Sequence, residues 1–531
     1  MTDPKEKQRQ QLSDRGICVV IPTYNNGGTI AAVVKATLTE CRDVIVVNDG
    51  STDDTSEILH AIGGITIVEY AENRGKGSAL KHGFRQALQM GFAYAITLDG
   101  DGQHYPDDIS LFLKANRQHP GCLIIGNRQM DGIERSWGSS FANGFSNFWF
   151  FIQTGCRLPD TQSGYRLYPL RKLHALRLLR LLSLRRLLTS RYEAELELLV
   201  FASWHGVEIV SMPVRVYYPP MEQRVSHFRP LKDFARISVL NTVLCLLAIV
   251  YGWPMRLWRL LADVTRTVYT LLLVLTACVC VITPAVWFYV KIGKITEKKR
   301  RNLHRLIYHA CRFLMLRHGI PGTTFTYYDG ANGANGADGA NEANGANGAN
   351  RTGVSAFAKP AVIICNHQSH IDLPCQMMLT PDVVFLTKER EWNSPLYGLL
   401  IREAEYYSVA EGIDTLMPKL RSLVERGYSI AVYPEGTRSK NCQIGPFHKG
   451  AFHIAEQLGL DIVPMYLYGP GRVLPKGSYR LRRGQIYLEV GTPITREQLA
   501  QIGNTKAQAS YIRKHYIAKY EQMANRIEQN V

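Results

Sequence analysis

Two sets of residues in this sequence are of types and spacings that could do chemistry. The first is Asp99-Gly-Asp101-Gly-Gln103-His104. Two carboxylates that close repel one another unless a cation lies between them. Hard oxygen ligands suit Mg2+ or Mn2+, and such ions commonly bridge a diphosphate. A bare Asp-Gly turn in solvent would look the same, but Asp49 in Asn48-Asp49-Gly50-Ser51 supplies a second acidic loop. The second set is His367 with Asp372, in Asn366-His-Gln-Ser-His-Ile-Asp372. A histidine can take the proton of an alcohol while a carboxylate holds its tautomer. No serine or cysteine nucleophile stands in an obvious elbow, so the alcohol is the substrate's own and the reaction is acyl transfer to a hydroxyl. Pro434-Glu435-Gly436-Thr437-Arg438 brings a further acid and base.

Each set needs strands to deliver it. In the first half, short apolar runs alternate with helical patterns. Ile17 to Ile21 stops at Pro22-Thr-Tyr24-Asn25, Val44 to Val47 runs into Asn48-Asp49, Ile65 to Val68 follows, and Ala95 to Leu98 ends at Asp99. This βαβα order implies an α/β fold with a parallel sheet and ligands at the carboxyl ends of its strands. Ser51 or Thr52 is a ready N-cap for the helix that follows it. In the second half, Ala361 to Cys365 leads into Asn366-His367 and Ser429 to Tyr433 into Pro434, again as buried strands ending in loops.

Charge and composition narrow the partners. The chain has 531 residues, is 46% hydrophobic and carries a formal net charge of +17. Such a balance favours an anionic partner. No nucleic-acid module is visible, so membrane lipids and phosphorylated substrates remain and nucleic acid is excluded. The eleven cysteines show no metal spacing and no small secreted framework, which suits a reduced cytosolic setting. Residues 1–15 are polar and lack the apolar core of a secretory signal.

The middle of the chain is apolar. Ile237 to Trp253 has Asn241 as its one strongly polar residue, and Val268 to Val290 carries no charge. A spanning helix needs about 20 such residues. The basic stretch Lys291 to Arg301, with Arg229, Lys232 and Arg236 before the first run, implies a membrane hairpin with both flanking domains on the cytoplasmic face of the inner membrane. Arg256, Arg259 and Arg266 in the link favour a hairpin that re-enters one leaflet over a clean crossing. Two buried helices of a soluble protein are the alternative. Leucines and arginines interleave from Leu170 to Leu188, as in a basic helix lying on an anionic membrane or an ordinary helix with one leucine face. The Gly-Ala-Asn repeats of 330–350 cannot form a core and read as a disordered loop.

With these residues together, the first half resembles a family 2 glycosyltransferase of the GT-A fold, and among these the dolichol- or polyprenyl-phosphate sugar synthases. Ile125-Gly-Asn-Arg128, Asp160-Thr-Gln-Ser-Gly-Tyr-Arg166 and Arg191-Tyr-Glu-Ala-Glu195 match that subgroup, while Asn26 stands where many members have Glu. The resemblance implies nucleotide-sugar binding by Pro22, Tyr24, Asp49 and Asp99, and metal binding by Asp101, Gln103 and Asp99. Arg128 and Arg166 would hold a lipid phosphate, an acceptor that needs no base. An alcohol acceptor would need one, and Asp160 is then the candidate. Its other role is to orient the turn at Ser163-Gly164.

The second half resembles the glycerolipid (lysophosphatidate) acyltransferases. His367 and Asp372 look like the HX4D motif, Lys388-Glu389 with Pro395 and Gly398 like the second block, Pro434 to Arg438 like the third, and Phe447 to Gly450 with Ile462 to Pro464 like the fourth. The resemblance implies that Glu435, Gly436, Thr437, Arg438 and Lys388 bind the acyl acceptor, and that acyl-CoA or acyl carrier protein is the donor. Glu411 stands where members acting on lysophosphatidate carry a phosphate-holding arginine, and a carboxylate there would repel a phosphate.

The expected organisation is a tail (1–15), a GT-A domain (16–232), a membrane-associated hairpin (233–295), an α/β acyltransferase domain (296–505) with the loop 330–353 inside it, and a C-terminal helix (506–531) without assigned chemistry. The expected function is a bifunctional enzyme of glycolipid synthesis. The alternative is an acyltransferase alone, with the first half as a binding module.

Overall fold

The computed structural model describes residues 3–128, 137–176, 193–217, 230–277, 283–291, 296–317, 320–329, 355–394 and 398–530. The leucine-arginine stretch from Arg177 onward, Arg191, Arg229, the Gly-Ala-Asn tract and Pro395 lie outside the described residues. The chain divides into two compact units, Met1–Arg259 with Asn525–Val531, and Leu260–Ala524.

Among the described residues the first unit holds seven strands: β1 (Ile17–Thr23), β2 (Val44–Asn48), β3 (Thr66–Glu69), β4 (Tyr94–Thr97), β5 (Leu123–Arg128), β6 (Arg166–Pro169) and β7 (Ile209–Val214). They lie in the order β3-β2-β1-β4-β6-β5-β7. Alternate residues feed two cores, because successive side chains of a strand point to opposite faces. Cys18, Val20, Ile45 and Val47 pack with Ala79, Phe84 and Leu199 on one face. Val19, Ile21, Val44 and Val46 pack with Ile30, Val34 and Phe112 on the other. Covered on both faces, these strands read as continuous apolar runs.

One strand departs from the parallel sheet expected from the alternation. β6 runs antiparallel between β4 and β5, with Arg166 opposite both Thr97 and Ile125. A four-residue strand inside a loop-rich stretch carries no periodicity to read. Its consequence is geometric. An antiparallel strand begins where its parallel neighbours end, so β6 carries the 160–164 loop to the same edge as Asp49 and Asp99. Pro22 fits the central strand β1 because the β1–β4 ladder ends at Val20 opposite Thr97, and no N–H is needed beyond it.

The second unit holds β8 (Thr323–Asp329), β9 (Ala361–Cys365), β10 (Val383–Thr387), β11 (Tyr407–Ser408), β12 (Ser429–Val432), β13 (Asp461–Tyr468) and β14 (Gly484–Val490), in the order β11-β10-β12-β9-β13-β14-β8. From β11 to β13 the pairing is parallel, and β14 is antiparallel to β13. β8 pairs with β14 at the far edge of the sheet that holds β9, so the tract 330–350 joins two strands of one sheet.

Among the described residues one helix, Ala235–Thr276, is long and apolar enough to cross a membrane. No turn interrupts it at 254–267, where the expected hairpin would need one. Met255 to Ala262 are good helix formers without a glycine. Pro254 sits in the first turn of the segment Trp253–Thr276, directly after a π-helical turn at Ala248–Gly252 that adjusts the backbone before it. Only 28% of its most apolar window is buried, unlike a core helix. Ile249, Val250 and Trp258 are more than two-thirds exposed.

Two candidate active sites

In the first unit the loops after β1, β2 and β4 meet at the carboxyl edge. Asn25 takes a positive φ of 52° and donates its N–H to Ser51 Oγ at 2.9 Å, while Thr52 N–H donates to Asn25 Oδ1 at 2.8 Å. These bonds tie the Pro22–Tyr24 loop to the Asp49 loop. Asp49 is buried, and its carboxylate accepts the N–H groups of Arg74 (2.9 Å) and Gly75 (2.7 Å). It therefore fixes the loop that starts the helix Lys76–Gln89. Burial pushes its carboxyl up. Gly50 is required here: its φ is +70°, and a Cβ would lie 2.5 Å from the Glu72 carbonyl carbon.

The helix that Asp49 anchors begins with Lys76. Its ammonium lies 2.8 Å from Asp99 Oδ1 and 3.0 Å from Glu195 Oε2. Burial pushes the lysine down, but Asp99 and Glu195 outweigh it and the net shift is upward. Burial pushes Asp99 up, and Lys76 reverses that to a net downward shift. Gly164 leaves room for this pair, since a Cβ there would meet Asp99 Oδ2 at 2.7 Å and Lys76 Nζ at 2.8 Å.

Asp101 pairs with no such cation among the described residues. It accepts the Gln103 N–H at 3.0 Å. Burial and the charge of Asp99 push its carboxyl up to about 6. Among the described residues no cluster of three His, Cys, Asp or Glu could hold a metal alone. The set on offer is Asp101, the half-buried Gln103 and the half-buried carboxylate of Asp99, both of whose oxygens also lie on Lys76. These hard donors fit a divalent ion that takes its remaining ligands from a diphosphate and water.

The residues expected to meet the acceptor are differently placed. Arg166 is buried and spends its guanidinium on backbone carbonyls: Nε on Ser163 (2.6 Å), Nη1 on Glu195 (2.9 Å) and Nη2 on Thr161 (2.8 Å). It clasps the 161–164 loop, and the phosphate-holding role implied by the resemblance does not fit. Asp160 forks onto Arg128, at 2.7 Å from Nε and 3.0 Å from Nη2, and accepts the N–H groups of Gln162 and Ser163. Burial raises its carboxyl, Arg128 outweighs this, and the net shift is downward. That is the turn-orienting role, and a poor general base. Arg128 keeps a partly exposed guanidinium at the same edge.

In the second unit His367 follows the end of β9. Its Nδ1 lies 2.9 Å from Asp372 Oδ2. Asp372 is fully buried, and the same oxygen accepts the N–H groups of Gln368 (2.6 Å) and Ser369 (2.8 Å). Burial pushes its carboxyl up. The imidazole stacks on Tyr433, with ring centroids 4.0 Å apart and planes 17° from parallel, and the Tyr433 hydroxyl takes a 2.7 Å bond from Gln376. With Nδ1 on the carboxylate, Nε2 is the nitrogen left for substrate.

Glu435 does not reach toward an acceptor as expected. It is buried, with Oε1 on the His367 N–H (2.9 Å) and Oε2 on the Gly445 N–H (2.7 Å). It holds the His367 backbone. Gly436 and Thr437 are exposed, Arg438 is half-buried, and Lys476 supports this loop by donating to Thr437 Oγ1 (3.2 Å) and the Arg438 carbonyl (2.5 Å). Lys388 is exposed at the end of β10. Glu411 is exposed and paired with Lys419 at 2.6 Å, so its charge is offset.

The model of glycosyl transferase family 2 matches residues 18–170, and the acyltransferase model matches residues 347–468. The chain is a fusion of a family 2 glycosyltransferase domain and an acyltransferase domain. The glycosyltransferase domain is similar to an uncharacterized protein of Methanocaldococcus jannaschii, 30% identical over 40% of this chain and 87% of that protein. It is also similar to the UDP-N-acetylglucosamine–dolichyl-phosphate N-acetylglucosaminyltransferase of Methanococcus voltae, 27% identical over 39% of this chain and 88% of that protein. The acyltransferase domain is similar to the 1-acyl-sn-glycerol-3-phosphate acyltransferase of Cocos nucifera, 37% identical over 25% of this chain and 46% of that protein. The chain thus spans less than half the length of that plant enzyme. Among solved structures, the 1-acyl-sn-glycerophosphate acyltransferase of Thermotoga maritima aligns with a TM-score of 0.38 at 18% identity, over 50% of this chain and 98% of that one. Glucosyl-3-phosphoglycerate synthase of Mycobacterium tuberculosis aligns with 0.34 at 19%, over 46% and 85%.

Residues without an assignment from sequence complete both domains. In the glycosyltransferase domain they are Lys76 and Glu195. Asn73-Arg-Gly-Lys76-Gly77, a lysine between glycines at a helix start, is a signal that could have flagged the first. In the acyltransferase domain they are Tyr433 and Gln376, which nothing in the sequence marks.

Proposed function

We propose that this chain makes a glycolipid at the cytoplasmic face of a membrane, through two transfers. The glycosyltransferase domain moves a sugar from a nucleotide sugar to a lipid-linked acceptor. The acyltransferase domain moves an acyl group from acyl-CoA or acyl carrier protein to a hydroxyl. The observation that carries the reading is the pairing, in one chain, of the Lys76–Asp99–Asp101 edge with His367 held on Asp372 at 2.9 Å.

For sugar transfer, Asp101, Gln103 and Asp99 would hold Mg2+ or Mn2+, which neutralises the leaving nucleoside diphosphate. Pro22, Tyr24 and Asp49 line the nucleotide's edge of the sheet, and Lys76 keeps Asp99 ionised and in place. A lipid phosphate is already an anion and attacks without a base, from the face opposite the leaving group, so the sugar centre inverts. Arg128, a partly exposed guanidinium at the edge, would draw that phosphate in.

For acyl transfer, His367 Nε2 takes the proton of the acceptor hydroxyl as its oxygen attacks the thioester carbonyl. The imidazolium that forms is stabilised by Asp372, and its proton leaves on the thiolate as the thioester bond breaks. Arg438, half-buried in the loop that also carries Gly436 and Thr437, and Lys388, exposed at the end of β10, would meet an anionic acceptor. The helix Ala235–Thr276 would rest in lipid. At about 1.5 Å per residue it is longer than the roughly 30 Å hydrocarbon core. Arg256, Arg259 and Arg266 along it, all half-buried, count against a clean crossing and favour a tilted or interfacial course.

Lipid mass spectrometry on cells carrying the native chain, Asp101→Ala or His367→Ala tests this. One lipid lacking a hexose-sized mass in the first variant and an acyl-sized mass in the second is the expected result. A lipid changed by His367→Ala alone would leave the acyltransferase with a binding module in place of this reading.

A further inference from the structure

The C-terminal helix Thr505–Asn530 lies wholly outside the matched acyltransferase model. Its sequence is polar, but Ala509, Ile512, Tyr516 and Met523 are buried, at the spacing of one helical stripe. Tyr516 stands behind the strand that delivers His367. Its ring packs on Tyr466 (4.4 Å) and Phe447 (5.4 Å). Its hydroxyl accepts the backbone N–H of Asn366 at 2.9 Å and reaches the Met465 carbonyl and Asn366 Oδ1.

This is the point where the sheet opens. The β9–β13 ladder ends at Cys365 opposite Met465. Beyond it, the Asn366 side chain takes over the pairing: Nδ2 donates to the Leu467 carbonyl (2.8 Å) and Oδ1 accepts the Leu467 N–H (2.9 Å). The side-chain amide thus makes the two bonds a backbone would, and leaves the Asn366 N–H to Tyr516. One helical turn on, the Tyr520 hydroxyl accepts Gln368 Nε2 at 2.7 Å. Tyr516 and Tyr520, at i and i+4 on one helix face, therefore grip the residues immediately before and after His367.

We propose that Tyr516 and Tyr520 are positioning residues for His367, and that the C-terminal helix is a working part of the acyltransferase site. The inference rests on the acyl-transfer reading. Asp372 and Glu435 fix the imidazole and the N–H of His367, but neither holds the chain on both sides of it. The two tyrosines do, and a displacement of about 1 Å at a reacting group can cost on the order of a hundredfold in rate.

The test uses membranes containing the full chain, with palmitoyl-CoA and palmitoyl-acyl carrier protein as donors and endogenous lipid as acceptor. Tyr520→Phe keeps the ring of a half-buried residue and removes only the hydroxyl. It is expected to lower kcat about tenfold with donor KM and melting temperature unchanged. Gln368→Leu also removes the 3.3 Å bond from Nε2 to the Cys442 carbonyl, so it should lose at least as much, and the double variant should lose no more than Gln368→Leu alone, because the bond to Tyr520 is already gone. Tyr516→Phe should lower kcat as well. Sugar transfer by the same chain should stay at the native level in every variant. Native kcat in Tyr520→Phe, or a loss that appears in KM or in melting instead, overturns the inference. Native acyl transfer in His367→Ala overturns the acyl-transfer reading itself, whatever the tyrosine variants do.

Discussion

His367 Nδ1 and Asp372 Oδ2 are 2.9 Å apart, and that one carboxylate oxygen also takes the N–H groups of Gln368 and Ser369. Asp372 thereby shapes the loop and holds the imidazole at once. Asp372→Asn retains an oxygen for the two N–H groups but presents an amide, or the wrong tautomer, to His367. It is expected to lower acyl-transfer kcat by about 10²–10⁴ with little change in KM. Steady-state kinetics beside a thermal melt distinguish this from unfolding, which would lower the amount of active enzyme and the melting temperature together.

Glu435 offers a sharper separation of binding from support. Its two oxygens satisfy the N–H groups of His367 and Gly445. Glu435→Ala leaves two buried donors without partners, at about 1–3 kcal/mol each. Glu435→Gln keeps one acceptor oxygen and should lose about half as much. Graded losses in chemical denaturation, in the order Gln then Ala, are the expected result. Intact stability in Glu435→Ala, with only acceptor KM raised, would return Glu435 to an acceptor-binding role.

The strands β1, β2, β4 and β9 are legible in the sequence because a strand buried on both faces is a plain apolar run bounded by polar loop residues. The His367–Asp372 contact is legible because the pair follows such a run, whereas Asp99 and Asp101 needed the second acidic loop at Asp49, since a bare Asp-Gly turn would read the same. Arg166 and Glu435 are not legible. A charged residue spent on backbone groups is written with the same letter as one aimed at substrate, and only burial tells them apart. The link at 254–267 misled for a related reason: the break between two apolar runs reads as the turn of a hairpin, yet arginine is a good helix former, and the helix runs through it. Tyr516 and Tyr520 act across a sequence gap of about 150 residues, which no local pattern can show.

Lys76 is the hinge of charge in the glycosyltransferase domain. Lys76→Met leaves the half-buried Asp99 and the buried Glu195 without their shared cation, and removing one partner of a buried pair costs at most about 3–5 kcal/mol. The melting transition of this domain should fall, and sugar transfer with it, while acyl transfer at the permissive temperature persists. A native melting temperature would mean that the two carboxylates are held by other groups and that Lys76 serves the substrate alone.

His304 gives the acyltransferase domain a pH dependence of known sign. The imidazole is 2% exposed, bonds the Ala404 carbonyl at 2.9 Å and lies between the rings of Tyr406 and Tyr428. Burial, helped by Arg300 and Arg426 and opposed by the Ala404 bond and Glu297, pushes its pKa down to about 4. An unfolded histidine titrates near 6.5. As pH falls, the unfolded chain takes up this proton first, so the stability present above about 6.5 is lost progressively as pH drops through about 4. The whole effect is on the order of 3 kcal/mol. His304→Gln can still donate to Ala404 but does not titrate. Relative to the native chain its stability should therefore improve between pH 7 and pH 4.5, when both are followed by denaturant unfolding at each pH. Parallel curves over that range would show that His304 stays neutral in the unfolded chain as well, or that it is protonated in the fold.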